Sequence, residues 1–268
     1  MATDAEKVGA AFARHYAQYD TSATVQREIA ERLDALLGEY CPHLTVRRAL
    51  EIGIGTGFLT RLVTARYPDA EWYFNDLTPA AFDWIPAGLR QVITLPGDAE
   101  SICYPNRLDL ITSASALQWF DDLPAFFTKA RQVMHPGAVL AIASFTAGHF
   151  EELARVSDSP LHYPTDAELG SMVTKAGFTL LHTLSWSKTL HFDTARNLLV
   201  HLRCTGVNGR SAAAIRTPAQ LSSFEECYRQ ATLSLCTSLP LTYRPTILIA
   251  QSGTASRQAP TSLPSGAR

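Results

Sequence analysis

The chain has 268 residues, of which 46% are hydrophobic and 18% are charged, as in a folded globular protein. Its net charge of -2 argues against a nucleic-acid-binding protein, and its apolar runs fall short of the roughly 20 residues that a membrane-spanning helix needs. Five scattered cysteines form no Cys-x-x-Cys pair, so we expect reduced thiols in a cytoplasmic protein and no metal site. We also expect a monomer.

Two amphipathic helices are predicted ahead of the first strand. The first spans residues 5–19 and includes Tyr16 and Tyr19. The second spans Thr24–Tyr40, with Thr21 or Ser22 as its N-cap. We expect residues 1–45 to form a helical lid.

Between residues 46 and 192, apolar strand-like runs alternate with helical segments. Five strands are predicted first, at Arg48–Ile52, Glu71–Asn75, Val92–Leu95, Leu108–Ser113 and Ala138–Phe145. Because parallel strands need crossover connections, this alternation predicts an α/β fold with helices on both faces of a parallel sheet.

The C-terminal third is less regular. A helix is predicted at Thr165–Ala176, with Thr165 or Asp166 as its N-cap, followed by long strands at Phe178–Phe192 and Leu241–Gln251. We assign three further segments by composition and pattern: a helical insertion that caps the substrate (193–239), the final core strand (240–251) and a disordered tail (252–268).

A glycine-rich turn follows the first strand. Gly53, Gly55 and Gly57 precede a predicted helix, and Glu51 lies two residues ahead of the first glycine. Such a turn lets the backbone approach a ligand at a helix N-terminus. A dinucleotide-binding fingerprint would need its third glycine at position 58, where this chain has Phe58. The turn therefore favours a smaller nucleoside ligand, the alternative being a tight turn that binds nothing.

Acidic side chains end the next two strands. Asp76 comes nineteen residues after Gly57, where it can accept hydrogen bonds from both hydroxyls of a ribose or, alternatively, cap a helix. Asp98 follows the third strand and can accept from an adenine amino group or remain a solvated turn residue. Gln118 and Trp119 follow the fourth strand at the same sheet edge, where Trp119 also suits packing at a helix start.

These four pieces, in this order, resemble the class I S-adenosylmethionine-dependent methyltransferases over about residues 46–146. The resemblance implies a Rossmann-like, seven-stranded, mostly parallel sheet with an antiparallel last strand. It implies S-adenosylmethionine as cofactor, S-adenosylhomocysteine as product and no metal. The glycine turn would hold the methionine moiety, Asp76 the ribose and Asp98 the adenine. The predicted cofactor-binding set is Tyr19, Gln26, Glu51, Gly53, Gly55, Gly57, Asp76, Leu77, Asp98, Ala99 and Ser113.

A narrower resemblance lies outside that core. The segments that carry it are Phe12-Ala-Arg-His-Tyr16-Ala-Gln-Tyr19-Asp20 with Val25-Gln26, Ala116-Leu-Gln-Trp119, His201-Leu-Arg-Cys-Thr-Gly-Val-Asn208 and Pro240-Leu-Thr-Tyr243. They are similar to segments of the malonyl-acyl carrier protein O-methyltransferases of biotin synthesis. This resemblance implies methylation of the free carboxylate of a malonyl thioester on acyl carrier protein. One departure is Arg203, which stands where that family more often has lysine.

The implied reaction needs no general base, because a carboxylate is already ionised at pH 7. We therefore predict no catalytic side chain beyond groups that position the substrate. An arginine fork suits a carboxylate, which makes Arg203 the first candidate for substrate binding, together with Gln118, Trp119 and Tyr16. Tyr16, Tyr19 and Gln26 are expected to fold over the donor.

The insertion also carries a basic excess. Residues 191–244 hold six arginines and three acids, a balance of +3 in a chain whose total is -2. Acyl carrier proteins are acidic, so this charge favours an acyl carrier partner over nucleic acid or membrane.

Three other functions remain open or disfavoured. A carboxyl methyltransferase of small polyacids, of the trans-aconitate type, shares the Leu-Gln-Trp feature. A non-enzymatic member that binds the nucleoside or serves as a scaffold for a partner is another, although the intact Gly53, Gly55, Gly57 and Asp76 argue against it. A nicotinamide dehydrogenase is disfavoured by Phe58 and by the lack of a Tyr-x-x-x-Lys motif.

Overall fold

The computed structural model describes residues 22–157, 162–205, 217–232 and 238–253. The predicted helix at 5–19, with Tyr16 and Tyr19, lies outside these residues, as does the chain from 254 onward.

The core is a seven-stranded sheet in the order β3-β2-β1-β4-β5-β9-β6, and β7 and β8 form a separate two-stranded ribbon. The strands are β1 (Arg48–Ile52), β2 (Glu71–Asp76), β3 (Gln91–Pro96), β4 (Leu108–Ala114), β5 (Met134–Phe145), β6 (Phe178–Ser185), β7 (Lys188–Phe192), β8 (Leu239–Tyr243) and β9 (Pro245–Ser252). Strands β1 to β5 pair in parallel, and β9 is antiparallel to β5 and β6. The predicted mostly parallel sheet with an antiparallel last strand is confirmed.

Seven α-helices accompany the described strands: α1 (Thr24–Tyr40), α2 (Phe58–Arg66), α3 (Leu123–Val133), α4 (Glu151–Ala154), α5 (Asp166–Lys175), α6 (Ala195–Cys204) and α7 (Pro218–Ala231). Short 3₁₀ turns cover Pro79–Trp84 and Leu117–Trp119. The Thr165 side chain caps α5 and forms a capping box with Glu168, which confirms the first of the two predicted caps. The N-cap of α1 is Ala23, without a side-chain bond, so Ser22 does not cap this helix.

Alternating strand residues are buried on opposite faces of the sheet. Ala49, Leu110 and Val139 pack with the cluster that includes α1, whereas Leu50, Ile111 and Leu140 pack with the cluster that includes α3 and α5. This two-sided burial explains why β5 is apolar along almost its whole length, since a period-2 strand presents every residue to one face or the other.

Helix α1 belongs to the core. Its residues Val25, Ile29, Leu33 and Leu37 are fully buried and pack with the sheet and α2. The predicted lid over residues 1–45 stays a prediction. Within it, α1 packs as part of the core, and a movement of this helix away from the sheet would expose its apolar face to water.

Both long strands predicted in the C-terminal third are interrupted. The segment Phe178–Phe192 is two strands, β6 and β7, and the segment Leu241–Gln251 is divided between β8 and β9. Pairing in the main sheet ends at Ser185 and Thr246, and pairing in the ribbon begins at Lys188 and Tyr243. The ribbon therefore leaves the main sheet together with α6 and α7. We call β7, β8, α6 and α7 the cap.

Backbone competition explains this interruption. Pro245 has no N–H with which to continue a ladder. The carbonyls of Arg244 and Thr242 instead accept from the N–H groups of Thr146 and Phe150, at 3.0 and 2.8 Å. Strand β8 is thus held by the segment that follows β5, and it turns away from the path of β9.

Candidate active site

The carboxyl ends of β1 to β4 meet at one edge of the sheet, and the predicted donor-binding residues of the core lie at or near this edge. We call it the carboxyl edge and the opposite side the amino edge. Ligands of open α/β sheets bind outside the carboxyl ends of the strands.

The three glycines of the turn have positive φ angles of 69°, 53° and 74°, which disfavour any residue with a side chain. Their surroundings differ. A Cβ on Gly53 would lie 2.4 Å from the Cβ of Ala116, and one on Gly57 would lie 3.2 Å from the carbonyl oxygen of Trp84. A Cβ on Gly55 would meet no atom within 4 Å. The outer glycines therefore allow close packing, and Gly55 leaves open space above the turn.

Asp76 joins the ends of β1 and β2. Its Oδ2 accepts from the N–H of Gly55 at 3.0 Å, and its Oδ1 accepts from the N–H of Thr78 at 2.8 Å. Burial raises the pKa of this carboxyl, and the backbone donors oppose the rise. Asp76 thus lies beside the glycine turn, as the sequence predicts, and its neighbour Leu77 is half-buried.

Glu51 lies beneath the turn and is 1% exposed. Its Oε1 accepts from the hydroxyl of Thr60 at 3.0 Å, while Oε2 has no hydrogen-bond partner among the described residues. Burial raises the pKa of Glu51 to about 8, and the nearby charge of Asp76 adds to the rise. A positive charge next to Glu51 would lower its pKa and favour the ionised carboxylate.

The loop after β3 carries Asp98 and Ala99. Asp98 accepts from the N–H of Glu100 at 2.9 Å and from the hydroxyl of Ser101 at 3.3 Å. The side-chain amide of Asn75 donates to the carbonyls of Leu95 and Gly97, both at 2.8 Å, and so ties this loop to the end of β2.

The segment after β4 contributes several polar atoms. Ser113 is a predicted cofactor residue, and its hydroxyl donates to the carbonyl of Ile52 at 2.9 Å. The Gln118 amide donates to the carbonyl of Ser115 at 2.6 Å, and Trp119 ends the 3₁₀ turn beside it. Five buried oxygens at or near this edge have no described partner: Glu51 Oε2, Thr56 Oγ1, Thr112 Oγ1, Ser115 Oγ and Gln118 Oε1. Such oxygens suit a polar ligand, because buried polar groups normally have partners.

Gln26 and Arg203 have contrasting positions. Gln26 on α1 is 6% exposed, and its Oε1 lacks a partner among the described residues. Arg203 is exposed on α6, whose buried face consists of Leu198, His201 and other residues. The described contacts do not bring Arg203 together with Gln118 or Trp119.

The other arginines of the insertion also differ in their surroundings. Arg196 and Arg244 are exposed, whereas Arg229 is paired with Glu225 at 2.7 Å. Arg210 and Arg216 lie outside the described residues.

Sequence reasoning missed the buried contacts that attach the cap. His201 Nε2 and the Tyr243 hydroxyl are 2.6 Å apart, and burial lowers the pKa of His201 to about 4. This pair joins two of the segments that carry the narrower resemblance. Glu152 accepts from the N–H of Thr242 at 2.9 Å and also from its hydroxyl. Spacing along the chain carries no signal for such contacts.

Comparison with known proteins identifies the family. A methyltransferase domain model matches residues 50–142. A malonyl-[acyl-carrier protein] O-methyltransferase from Bacteroides thetaiotaomicron is 33% identical over 251 residues, covering 90% of this chain and 95% of the relative. The chain belongs to this family. A relative of the same name from Chlorobium phaeovibrioides is 32% identical and covers 89% of this chain and 93% of its own.

Solved structures share the fold of this family member. A Bacillus halodurans C-125 protein superposes with a TM-score of 0.62 at 17% identity, covering 83% of this chain and 99% of that chain. Phosphoethanolamine N-methyltransferase 2 of Haemonchus contortus, in complex with phosphomonomethylethanolamine and S-adenosylhomocysteine, gives a TM-score of 0.51 at 17% identity over 84% of this chain and 53% of that chain.

Membrane-spanning helices and metal-binding clusters are absent from the part of the chain that the structure describes. In the described ranges, no helix combines the length and apolar character needed to cross a membrane. The same part of the chain shows no group of three or more His, Cys, Asp or Glu side chains arranged to hold a metal ion.

Proposed function

We propose that this protein transfers a methyl group from S-adenosylmethionine to the free carboxylate of a malonyl thioester on acyl carrier protein, as a cytoplasmic enzyme of biotin synthesis. The observation that carries the proposal is the match to relatives of this name across the cap as well as the core, covering 95% of one relative. The cap segments matter because the core alone is common to many methyltransferases.

The carboxyl edge fits the donor. Gly55 leaves open space above the turn at the N-terminus of α2, where the helix dipole favours the carboxylate of a methionine moiety. Glu51, once ionised, attracts a cationic group, Asp76 faces a ribose and Asp98 an adenine amino group. The buried oxygens of Thr56, Ser115 and Gln118 supply further acceptors.

When bound, the donor supplies an activated methyl group. The residues of this chain therefore need only bind and orient the two reactants and exclude water from them. The acceptor carboxylate is ionised at neutral pH and needs no base. Gln118 and Trp119, in the short turn that follows β4, would orient it beside the donor. Exclusion of water by the cap would strengthen the carboxylate as a nucleophile.

The exposed face of α6 is the proposed landing surface for the acyl carrier protein. Arg196, Val200 and Arg203 are exposed at positions i, i+4 and i+7, and Val200 is 45% exposed. Two cations that flank an apolar side chain complement an acidic helix with an apolar centre. In this arrangement Arg203 recognises the carrier, while its proposed contact with the malonyl carboxylate requires a different rotamer or a closed cap.

The activity is tested with methyl-labelled S-adenosylmethionine and either malonyl-acyl carrier protein, malonyl-coenzyme A or free polyacids. We expect label on the malonyl carrier protein, with hydrolysis by mild base as the signature of a methyl ester. Label on free trans-aconitate alone would establish the polyacid alternative instead, and no label on any malonyl thioester would overturn the proposal.

The landing surface is tested by reversing Arg196 and Arg203 to glutamate. We expect the KM for malonyl-acyl carrier protein to rise about ten-fold or more at low salt in the double variant. Arg196→Glu alone should raise this KM while leaving the KM for malonyl-coenzyme A nearly unchanged. The matched control is Arg155→Glu, an exposed arginine on the segment after β5. Equal KM values for the double variant and its parent would contradict carrier docking on α6.

A further inference from the structure

Glu100 connects two loops of the carboxyl edge. Its Oε2 accepts from the N–H of Asp121 at 2.9 Å, and its Oε1 accepts from the N–H of Asp122 at 2.8 Å. These two donors lie between the Leu117–Trp119 turn and the first residue of α3. The carboxylate therefore uses both oxygens to hold the loop after β4 against the loop after β3.

The backbone of the same residue holds Asp98. The N–H of Glu100 donates to Asp98 Oδ1 at 2.9 Å, which fixes the direction of that carboxylate. The ammonium of Lys129 donates to the carbonyls of Ala99 and Glu100, both at 3.0 Å, from the body of α3. The loop that presents Asp98 is thus anchored to α3 and the turn before it through Glu100 and Lys129.

We propose that Glu100 is a positioning residue for adenine recognition, which it achieves by fixing Asp98 relative to the segment that carries Gln118 and Trp119. The proposal rests on the proposed role of Asp98 as acceptor for the adenine amino group. A hydrogen bond weakens steeply when its distance or angle departs from the favoured range, so a small displacement of Asp98 reduces selectivity for adenine. Glu100 itself touches neither reactant in this arrangement.

A purely structural bond of the same chemistry exists at the amino edge and provides the matched control. Asp109 Oδ2 accepts from the N–H groups of Arg47 and Arg48, at 2.9 and 3.0 Å. Like Glu100, it is a carboxylate that joins two chain segments through two successive backbone donors. Removal of either carboxylate should lower stability, and only removal of Glu100 should alter the choice of base.

The experiment measures binding of S-adenosylhomocysteine and of its inosine analogue, in which a carbonyl oxygen replaces the adenine amino group. Titration calorimetry on the full chain gives the ratio of the two Kd values for the parent, Glu100→Ala, Glu100→Gln and Asp109→Ala. We expect the parent to prefer adenine, Glu100→Ala to lose about five-fold or more of that preference, and Asp109→Ala to keep it. Glu100→Gln retains one acceptor oxygen and should fall between, which serves if the alanine variant is too unstable to titrate.

Two results would overturn the positioning role. One is an unchanged ratio in both Glu100 variants, and the other is an equal fall in Asp109→Ala. A parent that shows no preference for adenine would also overturn it, because Asp98 would then have no selectivity for Glu100 to maintain. Methyl transfer to the malonyl carrier protein is measured separately with label, so the failure of this inference and the failure of the proposed function remain distinguishable.

Discussion

At both edges of the main sheet a carboxylate accepts hydrogen bonds from two backbone N–H groups, but the two carboxylates have different roles. At the amino edge, Asp109 accepts from two successive backbone N–H groups and joins β4 to the start of β1. At the carboxyl edge, Asp76 also accepts from two backbone N–H groups, one in the glycine turn and one after β2. The first carboxylate closes a junction, and the second ties two loops together beside the open space above Gly55.

The surroundings of the two carboxylates show this difference. Several buried oxygens without described partners lie at the carboxyl edge, beside the open space above Gly55. At the amino edge, Arg48 pairs with Glu71 at 3.4 Å and also donates to Tyr73 and to the carbonyl of Asn106. The amino edge has exceptions of its own, namely the buried Ser252 hydroxyl without a described partner and Arg107 with a φ of 63°. The edges therefore differ in the number of unpartnered oxygens, which is larger where the ligand is proposed to bind.

The largest expected effect comes from removing each carboxylate in turn. Asp76→Ala loses two hydrogen bonds to a charged group, of about 1.5–3 kcal/mol each, together with the proposed ribose contact. We expect Kd for S-adenosylhomocysteine to rise about 100-fold or more. Asp109→Ala should unfold at a lower urea concentration but bind like the parent. An equal rise in Kd in the two variants would contradict the proposal that Asp76 serves binding and Asp109 only stability.

A second effect separates stability from binding at Glu51. Its folded-state pKa of about 8 lies above the ordinary value of 4.5. Between these values the folded protein holds a proton that the unfolded chain has released, so stability falls as pH rises through this window. Glu51→Gln removes this dependence, and we expect it to exceed the parent in stability by a margin that grows from about pH 6 to about pH 8. Urea unfolding at several pH values gives the margin.

Binding by the same variant should change in the opposite direction. We expect the parent to bind S-adenosylmethionine more tightly as pH rises, because ionised Glu51 would attract the cationic donor. Glu51→Gln should bind about ten-fold more weakly near pH 8, without this pH dependence. A variant that gains stability and keeps full affinity would show that Glu51 does not serve the donor.

The smallest effect compares two glycines with open surroundings. Gly55 and Gly137 have φ angles of 53° and 85°, and a Cβ on either would meet no atom within 4 Å. Gly137 lies near the start of β5 at the amino edge. Each alanine variant should lose about 1–2 kcal/mol of stability through backbone strain. We expect Gly55→Ala alone to weaken donor binding, by about five-fold, because its Cβ enters the proposed ligand space.

Local sequence patterns predicted much of this fold. Strand β1 and helix α1 have the bounds that the sequence predicts, because hydrophobic periodicity and a following turn or proline define both elements. The single strands predicted at Phe178–Phe192 and Leu241–Gln251 are each interrupted instead. Their residues favour strands throughout, and the interruption arises from pairing with the distant segment after β5, which no local pattern reveals.

In the candidate site, too, local patterns predicted some contacts, and contacts between distant segments were not predicted. Gly55 and Asp76 were found because a glycine turn and an acid at the next strand end have a recognisable spacing, and they are in contact. The contacts of Glu100 and Asn75 were not predicted, because each side chain binds backbone atoms of a distant segment. Such contacts do not depend on the residue type of the partner, so no sequence pattern marks them. The predicted roles of Tyr16 and Tyr19 stay predictions, since both residues lie outside the described residues.

The interruption of the two long strands makes the cap an exchangeable module. Its entry and exit run side by side, where Ser185 and Thr246 are paired and their hydroxyl oxygens are 2.8 Å apart. A chimera that joins this core to the cap of a relative would therefore need two adjacent splice points for the cap and two more around the segment after β5, which keeps its partners in β8. Acceptor preference could then be moved between methyltransferases while the donor pocket stays untouched.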